Sequence, residues 1–460
     1  MTIVMSAMQY KLNEHPRGTV LWFSSLQWFI FMMANVITVP IVLGHALGLG
    51  EVDTALYMSR TLLLCGAIGL LQVLFGHRFP IIEGPAGMWW GVIVVLLDMH
   101  LRAGGDALLL LRELEMGLGV GALVFLLLGV FRLLPHIKFL FTPIVTGAFL
   151  ILLAIQMSKS ILSGVLGIGF EGSTVVVPKI ALLSLLLIGL TVGLMVKGRG
   201  LIKSMAVLIG LAAGWGVYAV LGMLHMPEAA APAFELPQLL PFGPPVWNTG
   251  VVVTCVLTSV ILLSNLIASV QVFAEAAEEP APGKLYSRGS VMTGAGTLAA
   301  GLFGTAPAVP LTAAASLVSL TGIASRLPFL LASAEMMVLG LFPAVGQLLS
   351  TIPQPVGYAV LFTVFGQLLG FGLKDIKRLA LTQRELFIIG FTLLTGGGLM
   401  FLPSEVWAEL PSLATYILGN GLIVGVVLAI LLEHVVFREA KQSPSSSASQ
   451  SAEANEKEGS

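Results

Sequence analysis

Phe79–Gly91 reads FPIIEGPAGMWWG and sets Pro80, Gly84, Pro85 and Gly87 within eight residues of an otherwise apolar region. Proline removes a backbone donor and clashes with the preceding turn, and glycine weakens a helix, so this segment is not a regular helix throughout. A second interrupted stretch, Gly304–Ser316, reads GTAPAVPLTAAAS and carries Pro307 and Pro310. Pro80 falls about sixty residues after the first long apolar run begins, and Pro310 about sixty after the eighth begins. Hydrocarbon cannot satisfy the NH and CO groups that such breaks expose, whereas a polar solute can. Matched interruptions in two halves of a membrane protein therefore point to a midplane solute site, to which half-helix N-termini add positive dipole ends. The plainer alternative is a pair of kinked packing helices.

The chain around these stretches has 460 residues, of which 57% are apolar and 10% charged, with 52 glycines and 24 prolines. Soluble domains carry roughly 25% charged residues, so the class indicated is an all-α polytopic membrane protein. Apolar runs of this length exclude a β-barrel. They lie near 19–43, 54–76, 79–98, 114–131, 139–157, 177–196 and 202–224, then near 247–273, 287–303, 308–322, 327–349, 355–373, 385–402 and 411–433. Fourteen segments form two halves of seven in opposite orientation, an inverted repeat. Placing the N-terminus inside assigns eighteen of the 23 Lys and Arg residues to cytoplasmic connections and leaves Arg60, Arg102, Arg112, Lys159 and Lys179 elsewhere. That bias predicts a multi-pass plasma-membrane protein with both termini cytoplasmic. The organisation expected is a cytosolic N-terminus (1–18), a first repeat (19–225), an extracytoplasmic proline-rich loop (226–246), a second repeat (247–435) and a disordered cytosolic tail (436–460). The start lacks the pattern of a cleaved signal, so the first helix is expected to be retained.

Only two acidic residues, Glu83 and Glu335, fall well inside these runs, where an ionised carboxylate is costly. Burial favours the neutral form of a carboxyl group, so both are candidates for carrying a coupling proton. Glu83 either meets a solute or caps a half-helix through the NH groups of Ala86 and Gly87. Glu335 lies in a regular stretch and is read first as paired with a neighbouring helix, while Arg60 is read as snorkelling outward. Asn265, clustered with Ser264, Ser269 and Gln271, can recognise the donor and acceptor edges of a neutral heterocycle or bond between helices. Gln27, with Asn35, is read as structural. Trp89 and Trp90 are read as interfacial, as are His45, His77, His100, His136 and His434, and Cys65 and Cys255 as small buried apolar residues. The candidate substrate-binding set is Glu83, Gly84, Ala86, Gly87, Asn265, Leu311, Thr312 and Ala313. No cofactor fingerprint, metal-ligand spacing, nucleophile elbow or basic stripe is present. An enzyme, a cofactor, a metal and a nucleic-acid partner are therefore not expected; the lipid bilayer is.

QWFIFMMANVITVP (Gln27–Pro40), Pro80–Gly87, FTPIVTGAFLILLAIQ (Phe141–Gln156), GLFGTAP (Gly301–Pro307), TGIASR (Thr321–Arg326), GLFPAVGQLLSTIPQPV (Gly340–Val356) and FGQLLGFG (Phe365–Gly372) follow one another at consistent spacing. In these stretches the chain resembles the nucleobase:cation symporter-2, or nucleobase–ascorbate transporter, family over roughly residues 20–435. EGPAGMWWG and LGNGLIVGVVLAILLEH look most like its purine and pyrimidine permease branch. The resemblance implies a core domain of spans 1–4 and 8–11, a gate domain of spans 5–7 and 12–14, and a homodimer. It also implies short strands in spans 3 and 10 that hold the substrate, with main-chain contacts near Gly87 and Thr312. The implied activity is import of a nucleobase, a purine such as hypoxanthine, guanine or xanthine before uracil, by proton symport with elevator-type alternating access. At the side chains the chain departs from the family. Ile261 stands where span 8 usually has a glutamate, Asn265 where some members have a histidine, Ala313 at the span-10 glutamate and Trp28 at a first-span histidine. Glu83 is then expected to replace the missing carboxylates in part, receiving the NH groups of the base and serving as a candidate for the coupling proton. The rival readings are an anion carrier of the same general architecture, which a fixed charge on Glu83 would oppose, and a non-transporting membrane sensor.

Overall fold

The computed structural model describes residues 8–437 apart from 103, 135–137, 141, 200, 225, 226, 228, 408, 409 and 411. Most of the tail expected from 436 onward, together with Phe141 and His136, lies outside the described residues. The first half contains α1 (Gly18–Val36), α2 (Thr38–Ala46), α3 (Glu51–Leu74), β1 (Glu83–Pro85), α4 (Gly87–Arg102), α5 (Ala107–Val130), α6 (Pro143–Val165), α7 (Pro178–Lys197) and α8 (Ala206–Val220). The second contains α9 (Thr249–Ala276), α10 (Gly283–Leu302), β2 (Ala308–Pro310), α11 (Ala313–Thr321), α12 (Arg326–Leu339), α13 (Pro343–Ser350), α14 (Gln354–Lys377), α15 (Gln383–Phe401), α16 (Ser412–Leu418) and α17 (Gly421–Leu431). Helices occupy all fourteen runs read from the sequence, and both interrupted stretches contain a strand. Among the described residues, eight helical runs are long and apolar enough to cross a membrane unaided, α1 with α2 being the first.

Local chemistry explains the breaks. α1 ends at Val36, whose carbonyl would have been bonded by the NH that Pro40 lacks. The run near 327–349, read as one span, is instead two helices bent by 88°, with Pro343 in the first turn of α13. α5 begins at Ala107, earlier than expected, because Asp106 caps it by accepting the Leu109 N–H at 2.7 Å. Glu113 and Glu115 therefore also lie within this helix, both buried, and the expectation of two intramembrane acids was too low.

The halves interlock. α5 of the first half packs on α9 and α10 of the second, while α12 of the second packs on α1 and α3 of the first. The fourth span of each half thus seats on the first two of the other, as an inverted repeat requires. Small residues make both contacts close. A Cβ added to Gly66 of α3 would lie 2.5 Å from Met337 N of α12, and one added to Gly294 of α10 would lie 3.0 Å from Leu126 N of α5. The remaining helices form a second group, in which α6 packs on α14 and α17, and α7 on α8 and α14.

One face gathers the N-terminal segment. Tyr10 bridges to Ile323, and Arg326 donates to Asn13 Oδ1 and to the Arg78 carbonyl, both at 2.6 Å. The opposite face carries the proline-rich connection as a strap. Leu240 N–H donates to the Leu302 carbonyl (2.7 Å), Val246 N–H to that of Arg112 (3.1 Å) and Glu235 N–H to that of Leu341 (3.1 Å). Under the strap, Arg60 is only 8% exposed, with its guanidinium 5.5 Å from the Phe242 ring centroid. It does not snorkel, because the strap closes its way out.

Candidate functional site

Two broken spans meet at the centre of the first packing group. β1 and β2 pair antiparallel, with Glu83 opposite Pro310, Gly84 opposite Val309 and Pro85 opposite Ala308, and all six residues are buried. Leu311 N–H continues the pairing to the Ile82 carbonyl at 2.8 Å. The Pro310 carbonyl accepts from Asn265 Nδ2 and from Ser269 Oγ, one turn apart on α9 and both at 2.8 Å. Beyond the strands the chain returns to helix at Gly87 and at Ala313. The N-termini of α4 and α11 therefore both lie beside the crossing, where the first NH groups of a helix lack partners within it. In α11 the Ala314 and Ala315 N–H groups donate to the Leu311 and Thr312 carbonyls at 3.3 and 3.2 Å. Thr312, the residue before α11, makes no side-chain capping bond.

Close approach fixes the smaller members of this set. A Cβ on Gly84 would lie 2.9 Å from Leu311 Cδ1, so the Leu311 side chain lies across the bare face of Gly84. Gly87 faces α14, where an added Cβ would lie 3.4 Å from Phe365 Cζ. The Phe365 ring meets Trp90 edge-on at 5.2 Å between centroids.

Glu83 is fully buried, and its Oε1 lies 3.2 Å from His77 Nε2. Its Oε2 has no hydrogen-bond partner among the described residues. On the other side of the ring, His77 Nδ1 accepts the Phe79 N–H at 3.1 Å, which leaves the ring proton on Nε2, donated to Glu83. Gln72 supports the turn from behind: its Oε1 accepts the His77 N–H at 3.4 Å, and its Nε2 donates to Thr293 Oγ1 (3.0 Å) and to the Gly289 carbonyl (3.2 Å) of α10. His77 is thus fully buried rather than interfacial, because the turn after α3 folds inward, with Arg78 at φ +63°. The sequence signal was the polar run Gln72, His77, Glu83 converging on a proline break.

The crossing is closed on one side and open on the other. Along α4, Trp89, Trp90, Val92, Ile93, Leu96 and Leu97 are all buried, and Gly91 approaches Leu153 and Met157 of α6. Trp89 and Trp90 are fully enclosed by neighbouring helices and do not reach an interface; neither indole N–H has a partner among the described residues. Along α11, Thr312 and Ser316 are exposed one turn apart. α9, which packs on α11, exposes Ala268, Gln271 and Glu275 over the same half of its length. Exposed surface that includes Thr312, Ser316, Gln271 and Glu275, with the apolar Ala268 and Val272 between them, therefore leads from the crossing towards the N-terminal face. On the strap side mostly apolar side chains pack, around a small cavity lined in part by Tyr57, Glu115, Phe242 and Thr305.

Of the residues singled out in the sequence, Gly84, Ala86, Gly87, Leu311, Thr312 and Ala313 lie in or beside the crossed strands, and Asn265 is bonded to them. Glu83 shares the strand but directs Oε1 to His77. Glu335 is apart, exposed on α12, whose Phe329, Ala332, Ser333 and Met336 are buried on the side towards α1 and α3. Gln27 and Asn35 stay in α1, and Asn35 Nδ2 bonds the Phe31 carbonyl at 2.7 Å. Ile261, where the resemblance implies a glutamate, is 8% exposed.

Residues 20–405 match the sequence profile Xan_ur_permease, described as "Permease family". The Bacillus subtilis (strain 168) protein named "Putative purine permease YwdJ" is 34% identical over 88% of this chain and 93% of its own. The uric acid permease PucK of the same organism is 25% identical over 93% of this chain and 97% of its own. The xanthine permease XanP of Escherichia coli (strain K12) is 24% identical over 95% of this chain and 96% of its own. Among solved structures, the transmembrane domain of the cyanobacterial bicarbonate transporter BicA superposes with a TM-score of 0.63 at 16% identity, over 92% of this chain and all of that one. Murine Slc26a9, an anion transporter in its inward-facing state, gives 0.64 at 13% identity, over 92% of this chain and 69% of that one. At these identities the structural likeness establishes the fold alone.

Proposed function

We propose, from the premise that this chain belongs to the xanthine/uracil permease family, that it imports a purine nucleobase by proton symport. The observation that carries the reading is the crossing itself. Two half-helix N-termini, the backbone at Gly87, Thr312 and Ala313, and the amide-bearing Asn265 meet at one place, with no basic side chain among them. Such a set suits a neutral heterocycle with donors and acceptors on its edges. With Ile261 and Ala313 in place of the usual carboxylates, the main chain supplies most of the grip and Glu83 is the acid left at the crossing to carry the coupling proton.

The helix group α1–α5 with α9–α13 acts as the core domain and α6–α8 with α14–α17 as the gate, in a homodimer. With the N-terminal face cytoplasmic, as the distribution of basic residues indicates, the polar opening along α11 is an inward-facing state. Sliding the core past Phe365 and α6 would turn the crossing outward. Hypoxanthine, guanine and xanthine are the bases favoured, and the relatives' names add uric acid. The fold shared with bicarbonate and Slc26 carriers raises an anion as the alternative, which a negative Glu83 beside the half-helices opposes.

The test is uptake of labelled xanthine by cells expressing the protein at two external pH values, against unlabelled purines, pyrimidines, sulfate and bicarbonate. Purines should compete, anions should not, uptake should rise as the outside is acidified, and Glu83→Gln should abolish it. Accumulation of sulfate or bicarbonate in place of bases, or undiminished pH-dependent uptake in Glu83→Gln, would overturn the reading.

A further inference from the structure

Glu83 has a partner whose role the transport reading does not supply. His77 Nε2 is its hydrogen-bond donor, and two contacts fix that donor. The Phe79 N–H occupies Nδ1, so the ring proton must reside on Nε2, and Gln72 holds the His77 backbone while itself tied to Thr293 and Gly289. A ring held this way cannot pick up a proton from Glu83, because Nε2 already carries one and Nδ1 is engaged. It can only donate. The carboxyl is therefore asymmetric: Oε1 always receives a hydrogen bond, and Oε2, buried without a partner, is where a proton would sit. Of the elements packed most closely on β1, α1 has no ionisable side chain, β2 has none, and α3 contributes Cys65, which lies within electrostatic range of Glu83. His77 is thus the group placed to govern how readily Glu83 gives up its proton.

We propose that His77 is a positioning residue for proton release: its fixed, neutral donor stabilises the Glu83 carboxylate, so that the coupling proton can leave once the site faces inward and the empty carrier can return. The inference rests on Glu83 being the proton carrier. The Arg326 side chain holds the same turn from the N-terminal face through the Arg78 carbonyl at 2.6 Å, which ties the donor to α12.

The role separates two transport modes. Net uptake driven by a proton gradient requires Glu83 to deprotonate inside, whereas exchange of labelled for unlabelled base across the membrane does not. In proteoliposomes assayed with labelled xanthine, His77→Phe, which fills the buried space without a donor, should lower net uptake about tenfold or more, the scale of one lost hydrogen bond to a charged group. Exchange should stay within about twofold on the same reasoning. Raising the internal pH should restore part of the net uptake. His77→Gln, whose amide can still donate, should recover most of it and guards against a variant that merely folds poorly. Equal losses of net uptake and exchange in both variants, or a wild-type pH profile in His77→Phe, would overturn the proposal. Collapse of net uptake in Glu83→Gln with wild-type behaviour in His77→Phe removes the role of His77 alone. Persistent pH-dependent net uptake in Glu83→Gln removes the carrier role of Glu83, and this inference with it.

Discussion

Asn265 shows how one side chain can be legible in a sequence while its partner is not. An amide in the middle of an apolar run needs a reason, and the sequence offered two: a solute or another helix. The structure gives it the Pro310 carbonyl, shared with Ser269. Nothing in a sequence marks a carbonyl as needing two donors, since every residue has one. The sharing predicts non-additivity. Asn265→Ala or Ser269→Ala alone leaves the carbonyl one donor and should cost about 1 kcal/mol or less. The double variant strands a buried acceptor and should cost about 1–3 kcal/mol beyond the sum. Thermal unfolding of the purified protein in detergent checks this, and strictly additive losses would show that the carbonyl has another partner. His77 was misread for a related reason. Histidines at span ends commonly sit at the interface, and only the inward fold of the Gly76–Phe79 turn turns this one towards Glu83.

At the scale of elements, breaks announced by proline were plain, and bends or starts set by tertiary contact were not. Pro80, Pro85, Pro307 and Pro310 marked both strands because no packing can restore a missing NH. The start of α5 was misplaced because Glu113 and Glu115 look like loop residues until the cap at Asp106 is recognised. α10 is instructive in another way. Its sequence, GKLYSRGSVMTGAGTLAAGL, is weakly apolar for a membrane helix, yet its small residues let α5 come close, so its surface is spent on protein contact and not on lipid. Gly66 makes the equivalent contact in the other half. Gly66→Val should therefore destabilise the α3–α12 seam by about 1–3 kcal/mol through overpacking, seen as a lower melting temperature. Gly119→Val on α5, where an added Cβ meets nothing within 4 Å, should not. Equal melting of the two would mean that the seam yields freely and that the halves are less tightly locked than their geometry requires.

Across the whole molecule, the asymmetry about the crossing makes a prediction that the native chain is well suited to test. The two cysteines, Cys65 and Cys255, are both buried, so a cysteine placed elsewhere reports against a quiet background. Thr312 and Ser316 lie on the open half and are exposed, whereas Leu96 lies on the sealed half and is fully buried. If the N-terminal face is cytoplasmic and the state described is inward-facing, Thr312→Cys and Ser316→Cys should react with a membrane-impermeant maleimide in inside-out vesicles and much less in right-side-out ones. Leu96→Cys should be unreactive in both. Xanthine should protect Thr312→Cys, at the mouth of α11, more than Ser316→Cys one turn further out. An outward shift of the core past the gate would carry the same positions out of reach from inside, so a variant trapped outward should reverse the sidedness for Thr312→Cys. Preferential labelling of both positions from outside in the unmodified background would invert the assigned orientation. Equal labelling from both sides would mean that the closed half around Trp89 and Trp90 does not seal. Only the second result would remove the structural basis for alternating access, whatever the substrate proves to be; the first would leave the asymmetry in place and reverse its direction.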